Sequence, residues 1–394
     1  MRVVGFLQGH ASHADWRVAL DRSQKQIQTQ IEATSALKGE AIPFTLGWCY
    51  LSDYYAEQAE AILDQLRLRL PGVDWVGTTA VGVSVSGVEY MDEPAIVLMV
   101  APLPRESFRL FSGRNPLPAA SSGFVAHTAL VHADGSAPDL QELIMELSAR
   151  TATGYLFGGL SSARNRPLHV ANGVLTGGLS GVAFGPEVSL VSRVTQGCQP
   201  IGPVRQITAA ERNVVISLDG QPALDCVLQD LGLRRDAPDD DLAQALSVTL
   251  VGLINKAEDV PTRPGQFGAE TAVRHVLAAD RQHQVLAVAD LIEPGMRLAL
   301  CTRDAQAAQR DLVRITTEIR EEVESGAGRT MAGALYVSCS GRGGAHFGAR
   351  HAELQTVRKA LGEVPLVGFF AGGEIARHHL YGYTGVLTVF TASA

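Results

Sequence analysis

Hydrophobic and polar positions along this chain switch between two periods, and the switch recurs. Between Gly333 and Ala394 a short apolar run, Ala334 to Val337, stops at the polar loop Ser338-Cys339-Ser340-Gly341-Arg342-Gly343-Gly344. Apolar residues return at helical spacing at Leu354, Val357, Ala360 and Leu361. A second apolar run, Val364 to Phe370, stops on Ala371-Gly372-Gly373 before Glu374, and a last run spans Val386 to Phe390. Short apolar runs read as buried strands and a 3.6-residue spacing as one helix face, so the pattern predicts strand, loop, helix and strand. Pro365 falls at the start of its run, where a missing amide hydrogen is tolerated.

The same grammar occurs near the N-terminus: Phe44 to Tyr50, a helical spacing through Ile62, Leu63, Leu66 and Leu70, then Val73 to Gly82. Setting Leu70 on Leu361 pairs Val76 with Val367, Gly77 with Gly368, Ala80 with Ala371, Gly82 with Gly373 and Tyr90 with Tyr381, and brings Cys49 close to Cys339. A third copy runs from Ala129 to Asp134, through Leu140, Leu143, Ile144 and Leu147, to Tyr155–Ser162 and Gly181–Phe184. The expected fold class is α/β, with repeated strand-loop-helix-strand units forming layered mixed sheets. The copies are too few and too separated for a solenoid.

Elsewhere the first strand is expected at Val3 to Leu7, followed by a long helix through Trp16, Leu20, Ile27 and Ile31. From Leu190 the pattern changes. Val191–Thr195 and Val204–Thr208 read as paired strands and Val214–Leu218 as another; Leu224–Leu231 and Leu242–Leu253 read as helices. Val285–Leu291 and Met296–Cys301 read as two more strands before a long helix, Ala305–Val323. A domain boundary is placed near Leu218.

Composition narrows the function classes. With 394 residues, 46% of them hydrophobic and 19% charged, the chain can bury more than one core. A formal net charge of -8 without a concentrated basic face argues against a nucleic-acid partner. No stretch approaches the roughly 20 apolar residues that span a bilayer, so a soluble, cytoplasmic protein is expected. The five cysteines, Cys49, Cys198, Cys226, Cys301 and Cys339, are odd in number and include no Cys-x-x-Cys pair, which predicts reduced thiols. No P-loop and no His-Glu-x-x-His helix occurs, and Gly341-Arg342-Gly343-Gly344 lacks the spacing of a dinucleotide fingerprint.

Candidate chemistry gathers at the predicted strand ends. Ligands settle at the carboxyl ends of strands in open α/β sheets, and Ser338–Gly344 and Gly368–Glu374 become neighbours there if their strands are adjacent. Arg342 offers a planar charged fork for a carboxylate and Glu374 a partner for an ammonium group, the pair a zwitterion needs. The alternative is that Arg342 and Glu374 form a structural ion pair with each other. Cys339, at a strand end beside Arg342 and ahead of a helix, has features that lower a thiol pKa, with His346 and His351 near in sequence as bases. His10 and His13 sit where a loop or helix start is expected, without a third metal ligand nearby.

Three stretches, Cys339-Ser340-Gly341-Arg342-Gly343, Val364-Pro365-Leu366-Val367-Gly368-Phe369-Phe370 and Gly373-Glu374-Ile375, together with Gly197–Gly202 and Leu218–Leu224, resemble the FIST domain proteins. Gly77-Thr78-Thr79 departs from the Cys-Ser-Thr-like turn of that family. The resemblance implies two domains, FIST N-like over 1–218 and FIST C-like over 219–394. It also implies a sensory role, in which a small molecule, amino acids being the proposed class, is bound and the state passes to a separate signalling protein such as a sensor kinase. The expected ligand-binding set is Cys339, Ser340, Arg342, Gly343, His346, Gly368, Phe369, Gly373 and Glu374, with no catalytic residue assigned. Two alternatives remain open. Some family members resemble haem-binding nitric oxide sensors, which would make His346, His378 or His379 an axial ligand beside Phe347, Phe369 and Phe370. A thiol-dependent enzyme would use Cys339.

Overall fold

The computed structural model describes residues 5–38, 42–118, 123–254, 271–326, 328–344 and 346–393. In chain order the elements are β1 (Leu7–Ser12), α1 (Trp16–Lys38), β2 (Leu46–Ser52), α2 (Ala59–Arg69), β3 (Asp74–Ala80), β4 (Gly82–Val85), β5 (Val88–Met91), β6 (Ala95–Ala101) and β7 (Phe108–Ser112). Next come β8 (Thr128–Ala133), α3 (Leu140–Ala149), β9 (Tyr155–Leu160), β10 (His169–Ala171), β11 (Val174–Leu175), β12 (Leu179–Phe184) and β13 (Leu190–Gln196). They are followed by β14 (Cys198–Pro200), β15 (Arg205–Glu211), β16 (Val214–Leu218), β17 (Gln221–Pro222), α4 (Ala223–Asp230), α5 (Asp239–Val248), β18 (Thr249–Ile254), β19 (Ala272–Asp280), β20 (Val285–Val288) and β21 (Arg297–Arg303). The remainder is α6 (Ala305–Ser325), β22 (Arg329–Cys339), α7 (Ala352–Leu361), β23 (Leu366–Ala371), β24 (Glu374–Ala376), β25 (His379–Tyr381) and β26 (Thr384–Ser393).

Two compact units result: Met1–Thr195 with Gln309–Ala394, and Gln196–Ala308. They are not two successive halves of the chain, and Leu218 ends β16 inside the second unit.

The first unit contains three six-stranded mixed sheets, each centred on one parallel pair: β2 with β3, β8 with β9 and β22 with β23. Each pair is joined through one helix, α2, α3 or α7. Parallel strands covered on both faces need continuous apolar runs, and β2, β8 and β23 are buried throughout. The helices lay one stripe on them: Ile62, Leu63 and Leu66 from α2; Leu140, Ile144 and Leu147 from α3; Leu354, Val357 and Leu361 from α7. Each burial of such a side chain contributes about 1.5–3 kcal/mol.

After each pair the chain makes a short hairpin that leaves its own sheet. The hairpin β4–β5 adds to β23, β10–β11 to β3, and β24–β25 to β9, all antiparallel. The exchange is cyclic: every sheet is completed by a hairpin from another of the three strand–helix–strand repeats. A shared core, including Trp48, Tyr50, Phe157, Phe184, Val337, Phe369 and Phe390, fills the space between the sheets.

Strand register fixes which residues correspond. Gly77 stands opposite Cys49, Gly158 opposite Val131 and Gly368 opposite Tyr336. A Cβ on any of the three would lie 1.8 or 1.9 Å from the facing carbonyl oxygen, so only glycine lets the strands approach this closely. Cys339, opposite Ala371, therefore corresponds to Ser52, opposite Ala80, and Cys49 and Cys339 are not equivalent positions.

The second unit is a closed antiparallel barrel in which β15, β16, β20, β19, β18 and β21 pair in a ring, with β14 and β17 added to β21 and β16. Its core packs Val215, Val251, Leu286 and Leu300 against Val227 of α4.

Several local expectations change. Residues 3 and 4 of the expected first strand lie outside the described residues, and β1 occupies the stretch read as a loop. Its inward positions, Leu7, Gly9 and Ala11, include two small residues that carry little hydrophobic signal. The strands expected to pair around Gly197 belong to different sheets, β13 beside β26 and β15 in the barrel. The helix read through Leu253 stops at Val248, where Thr249–Ile254 becomes barrel strand β18. β-Branched residues in a short apolar run make that switch ambiguous from pattern alone. His10 bonds through Nδ1 to the Tyr90 hydroxyl at 2.5 Å, and His13 Nδ1 accepts the Asp15 amide at 2.9 Å. Among the described residues no group of three or more His, Cys, Asp or Glu is placed to hold a metal ion.

Candidate functional site

The carboxyl ends of the three parallel pairs meet. Ser162, just beyond β9, accepts the Val81 amide after β3 at 3.1 Å and donates its hydroxyl to the Phe370 carbonyl of β23. The Gly372 amide donates to the Leu160 carbonyl at 3.0 Å and the Leu160 amide to the Gly373 carbonyl at 2.8 Å. Ser340, after β22, donates its amide to the Ala371 carbonyl at 2.8 Å. The loops around Cys339 and Gly373 are therefore neighbours. On the exposed rim Arg164 pairs with Asp53 at 2.8 Å and Asp92 at 2.5 Å.

Beneath the rim lies a buried polar cluster centred on a residue that the pattern reading passed over. Glu353, in the first turn of α7, is 1% exposed and accepts from Tyr336 Oη at 2.8 Å, Ser338 Oγ at 3.0 Å and Arg342 Nε at 2.9 Å. Arg342, also 1% exposed, brings Nη2 within 2.9 Å of the same carboxylate. Tyr336 and Ser338 alternate along β22, so both face α7, and a helix N-terminus favours a carboxylate. The ion-pair partner of Arg342 is thus Glu353 and not Glu374. Burial and the Glu353 charge together push the Tyr336 hydroxyl well above its usual range.

Glu374 lies within the field of Arg342. Its Oε2 accepts the Thr384 amide at 3.1 Å and the Thr384 hydroxyl at 2.8 Å, while Oε1, fully buried, is reached by no N–H or O–H donor, and the Cys339 thiol also bonds the carboxylate. Burial pushes its pKa up to about 8, with Thr384 and Arg342 opposing the rise. Cys339 does not have the lowered pKa expected of it. Burial, then the Glu374 charge, pushes the thiol up to about 12, and α7 begins only at Ala352.

Glu89, on β5 of another strand–helix–strand repeat, reaches the same helix end. Its Oε1 accepts the Leu354 amide at 3.2 Å, and its own amide donates to His351 Nδ1 at 2.9 Å. Burial pushes Glu89 up to about 7.

The other expected site residues fall in different surroundings. A Cβ on Gly343 would meet Met91 at 2.0 Å and Phe370 at 3.1 Å, so the space over this glycine is taken by those two side chains. His346 stacks edge-on against Phe347, whose ring lies 5.2 Å from the Arg342 guanidinium. Gly368 sits within β23 against the Tyr336 backbone, and Phe369 points into the shared core, 5.1 Å from Tyr50 and 5.6 Å from His132 between ring centres. His378 and His379 stack on each other in the β24–β25 hairpin. Cavities of about 460, 380 and 220 Å³ in the first unit are lined by residues other than His346, His378 and His379.

Glu353, Tyr336, Thr384 and Glu89 escaped the pattern reading. The available signal was an acid beside Leu354 in the first turn of an otherwise apolar-faced helix, eleven residues after a glycine-flanked arginine.

Hairpin-exchanged strand–helix–strand repeats with polar strand-end loops in one compact unit, and a closed barrel in the other, define the class. The FIST N domain matches residues 45–221 and the FIST C domain residues 223–377, and the chain belongs to the FIST domain family. The junction between the two matches runs through the barrel, whose strands β15 and β16 precede it and β18 to β21 follow it. Uncharacterized protein Rv0628c of Mycobacterium tuberculosis (strain H37Rv) is 30% identical over 352 residues, covering 85% of this chain and 88% of that protein. Uncharacterized protein Mb0898c of Mycobacterium bovis is 28% identical over 396 residues, covering 94% and 96%. Among the described residues no helix is long and apolar enough to cross a membrane.

Proposed function

We propose that this protein is a small-ligand sensor whose ligand carries an ammonium group, an amino acid or related metabolite, and whose bound state is read by a separate signalling protein such as a sensor kinase. The observation that carries the reading is Glu374: a fully buried carboxyl group beside the Cys339 thiol, with one oxygen that no N–H or O–H donor reaches, within the field of Arg342, where the strand-end loops of the three strand–helix–strand repeats meet. An unpaired buried oxygen is costly, and a donor brought by a ligand removes the cost. Since Arg342 is held by Glu353, recognition of the ligand carboxylate falls to the loop amides and the rim rather than to this guanidinium.

Thermal shift of the full chain against an amino-acid panel tests the proposal. A ligand at about a hundred times its dissociation constant adds roughly 2.7 kcal/mol of stability. Glu374→Gln, which keeps shape while removing the charge, is expected to fold and to lose the shift. A full shift in that variant, or none from any panel member with the native chain, overturns the reading.

A further inference from the structure

The strand β1, six residues long, forms one end of its sheet, whose order is β1, β6, β2, β3, β10 and β11. The opposite end, β11, has two residues and offers almost no edge. A strand of the length of β1 presents a row of main-chain amides and carbonyls that a second strand can join. Here the outward groups of Gln8 and His10 are taken by side chains of α1. Gln26 Nε2 donates to the His10 carbonyl at 2.8 Å, and Gln26 Oε1 accepts the His10 amide at 3.1 Å. One helical turn on, Gln30 Nε2 donates to the Gln8 carbonyl at 2.7 Å, and Gln30 Oε1 accepts the Gln8 amide at 3.4 Å, the longest of the four bonds. The Phe6 amide, next in that row, donates to the Ala332 carbonyl at 2.9 Å.

The match follows from the two periods. The chain turns back within His13–Asp15, so α1 runs antiparallel to β1. Four helical residues rise about 6 Å and two strand residues about 6.8 Å, so glutamines spaced by four meet strand residues spaced by two. Gly9, between the two strand residues, allows the close approach: a Cβ there would lie 1.9 Å from the Ser23 carbonyl oxygen of α1. A carboxamide both donates and accepts, as a peptide group does; a carboxylate would leave the strand carbonyls without a donor, and an ammonium group the strand amides without an acceptor. Around His10 these bonds lie in the open, where water would satisfy the same groups, and fixing two long side chains costs rotamer freedom. Stability is therefore a weak reason for the arrangement, and exclusion of another strand a strong one. The strand that fits this edge is β1 itself. Antiparallel pairing about Gly9 sets Gln8 of one copy opposite His10 of the other, and a single twofold axis satisfies the same four main-chain groups on each chain. We propose that Gln26 and Gln30 act as a surrogate strand that keeps the edge of β1 from pairing with the β1 of a second copy, a role independent of the ligand reading.

Hydrogen exchange of the native full chain, resolved to single residues by fragmentation mass spectrometry, tests the cover directly. The Gln8 and His10 amides are expected to exchange at least about tenfold more slowly than in an unstructured peptide. Combining Gln26→Ala with Gln30→Ala removes both carboxamides and keeps good helix formers in α1. In sedimentation velocity this double variant is expected to self-associate at least about tenfold more tightly than the native chain. Adding His10→Pro, which deletes an edge amide, should reverse that association. Gln28→Ala, which removes an exposed side chain bonded to Glu32 at 2.9 Å, should leave the native mass unchanged. Unprotected Gln8 and His10 amides in the native chain, a double variant that associates no more than the native chain, association that survives His10→Pro, or equal association in Gln28→Ala would overturn the proposal.

Discussion

Breaking the Arg342–Glu353 pair from either side leaves a charge stranded where both partners are 1% exposed. Arg342→Ala or Glu353→Ala is therefore expected to lower unfolding stability by about 3–5 kcal/mol in urea titrations. The exposed pair Arg314–Glu318, tested the same way, should give less than about 1 kcal/mol. Arg342 was legible in the sequence because a glycine-flanked arginine at the end of an apolar run has few structural uses. Its partner was not, since Glu353 reads as an ordinary first-turn acid until β22 is seen to cover it. Glu374 carries its own prediction. Because burial raises its pKa to about 8, binding of an ammonium group, which needs the carboxylate form, is expected to release a proton, and affinity should rise with pH up to about 8. Calorimetry in buffers of different ionisation enthalpy would detect the released proton, and identical heats across those buffers would contradict the coupling. Two histidines outside the site also matter. Burial pushes His132 down to about 3, and burial, partly offset by Asp134, pushes His169 down to about 4. The unfolded chain then takes up protons first, near pH 6.5, so this stability is complete above that value and drains away as pH falls toward 3–4. Melting temperature is expected to drop across that window, less steeply in His169→Asn.

At the scale of elements, glycine marks where strands touch. Gly368→Ala would drive a methyl group to 1.8 Å from the Tyr336 carbonyl, and a loss above about 3 kcal/mol, or failure to fold, is expected in chemical denaturation. Gly220→Ala, in a turn with a φ of 78° and open space around it, should cost only about 1 kcal/mol. The pairing of Gly77 with Gly368 could be read from the sequence because spacing survives where composition drifts. Long amphipathic helices such as α1 and α6 were equally legible. What could not be read was partner choice. The sequence around β4–β5 shows a hairpin, yet its hydrogen bonds go to β23, far along the chain, and nothing local specifies a distant edge. The barrel suffered most, since its strands are short, partly exposed and interrupted by bulges that blur a two-residue period.

At the scale of the molecule, the barrel has its own core and a closed ring of hydrogen bonds. Residues 196–308 produced alone are expected to give a cooperative thermal transition with a strand-rich circular dichroism spectrum. Residues 44–101 alone, by contrast, should not, because the sheet of β2 and β3 lacks β10 and the hairpin β4–β5 has lost its edge. A noncooperative barrel fragment would show that its ring depends on the rest of the chain. The cyclic hairpin exchange has a consequence for biosynthesis. The edge formed by Ser84 and Val85 waits for Val367 and Gly368, so at roughly 5–20 residues per second the nascent chain carries an open strand edge for tens of seconds. During that interval the ribosome-bound protein offers a template to any passing β-segment, and holdase chaperones that mask such edges should govern its yield more than its final stability does.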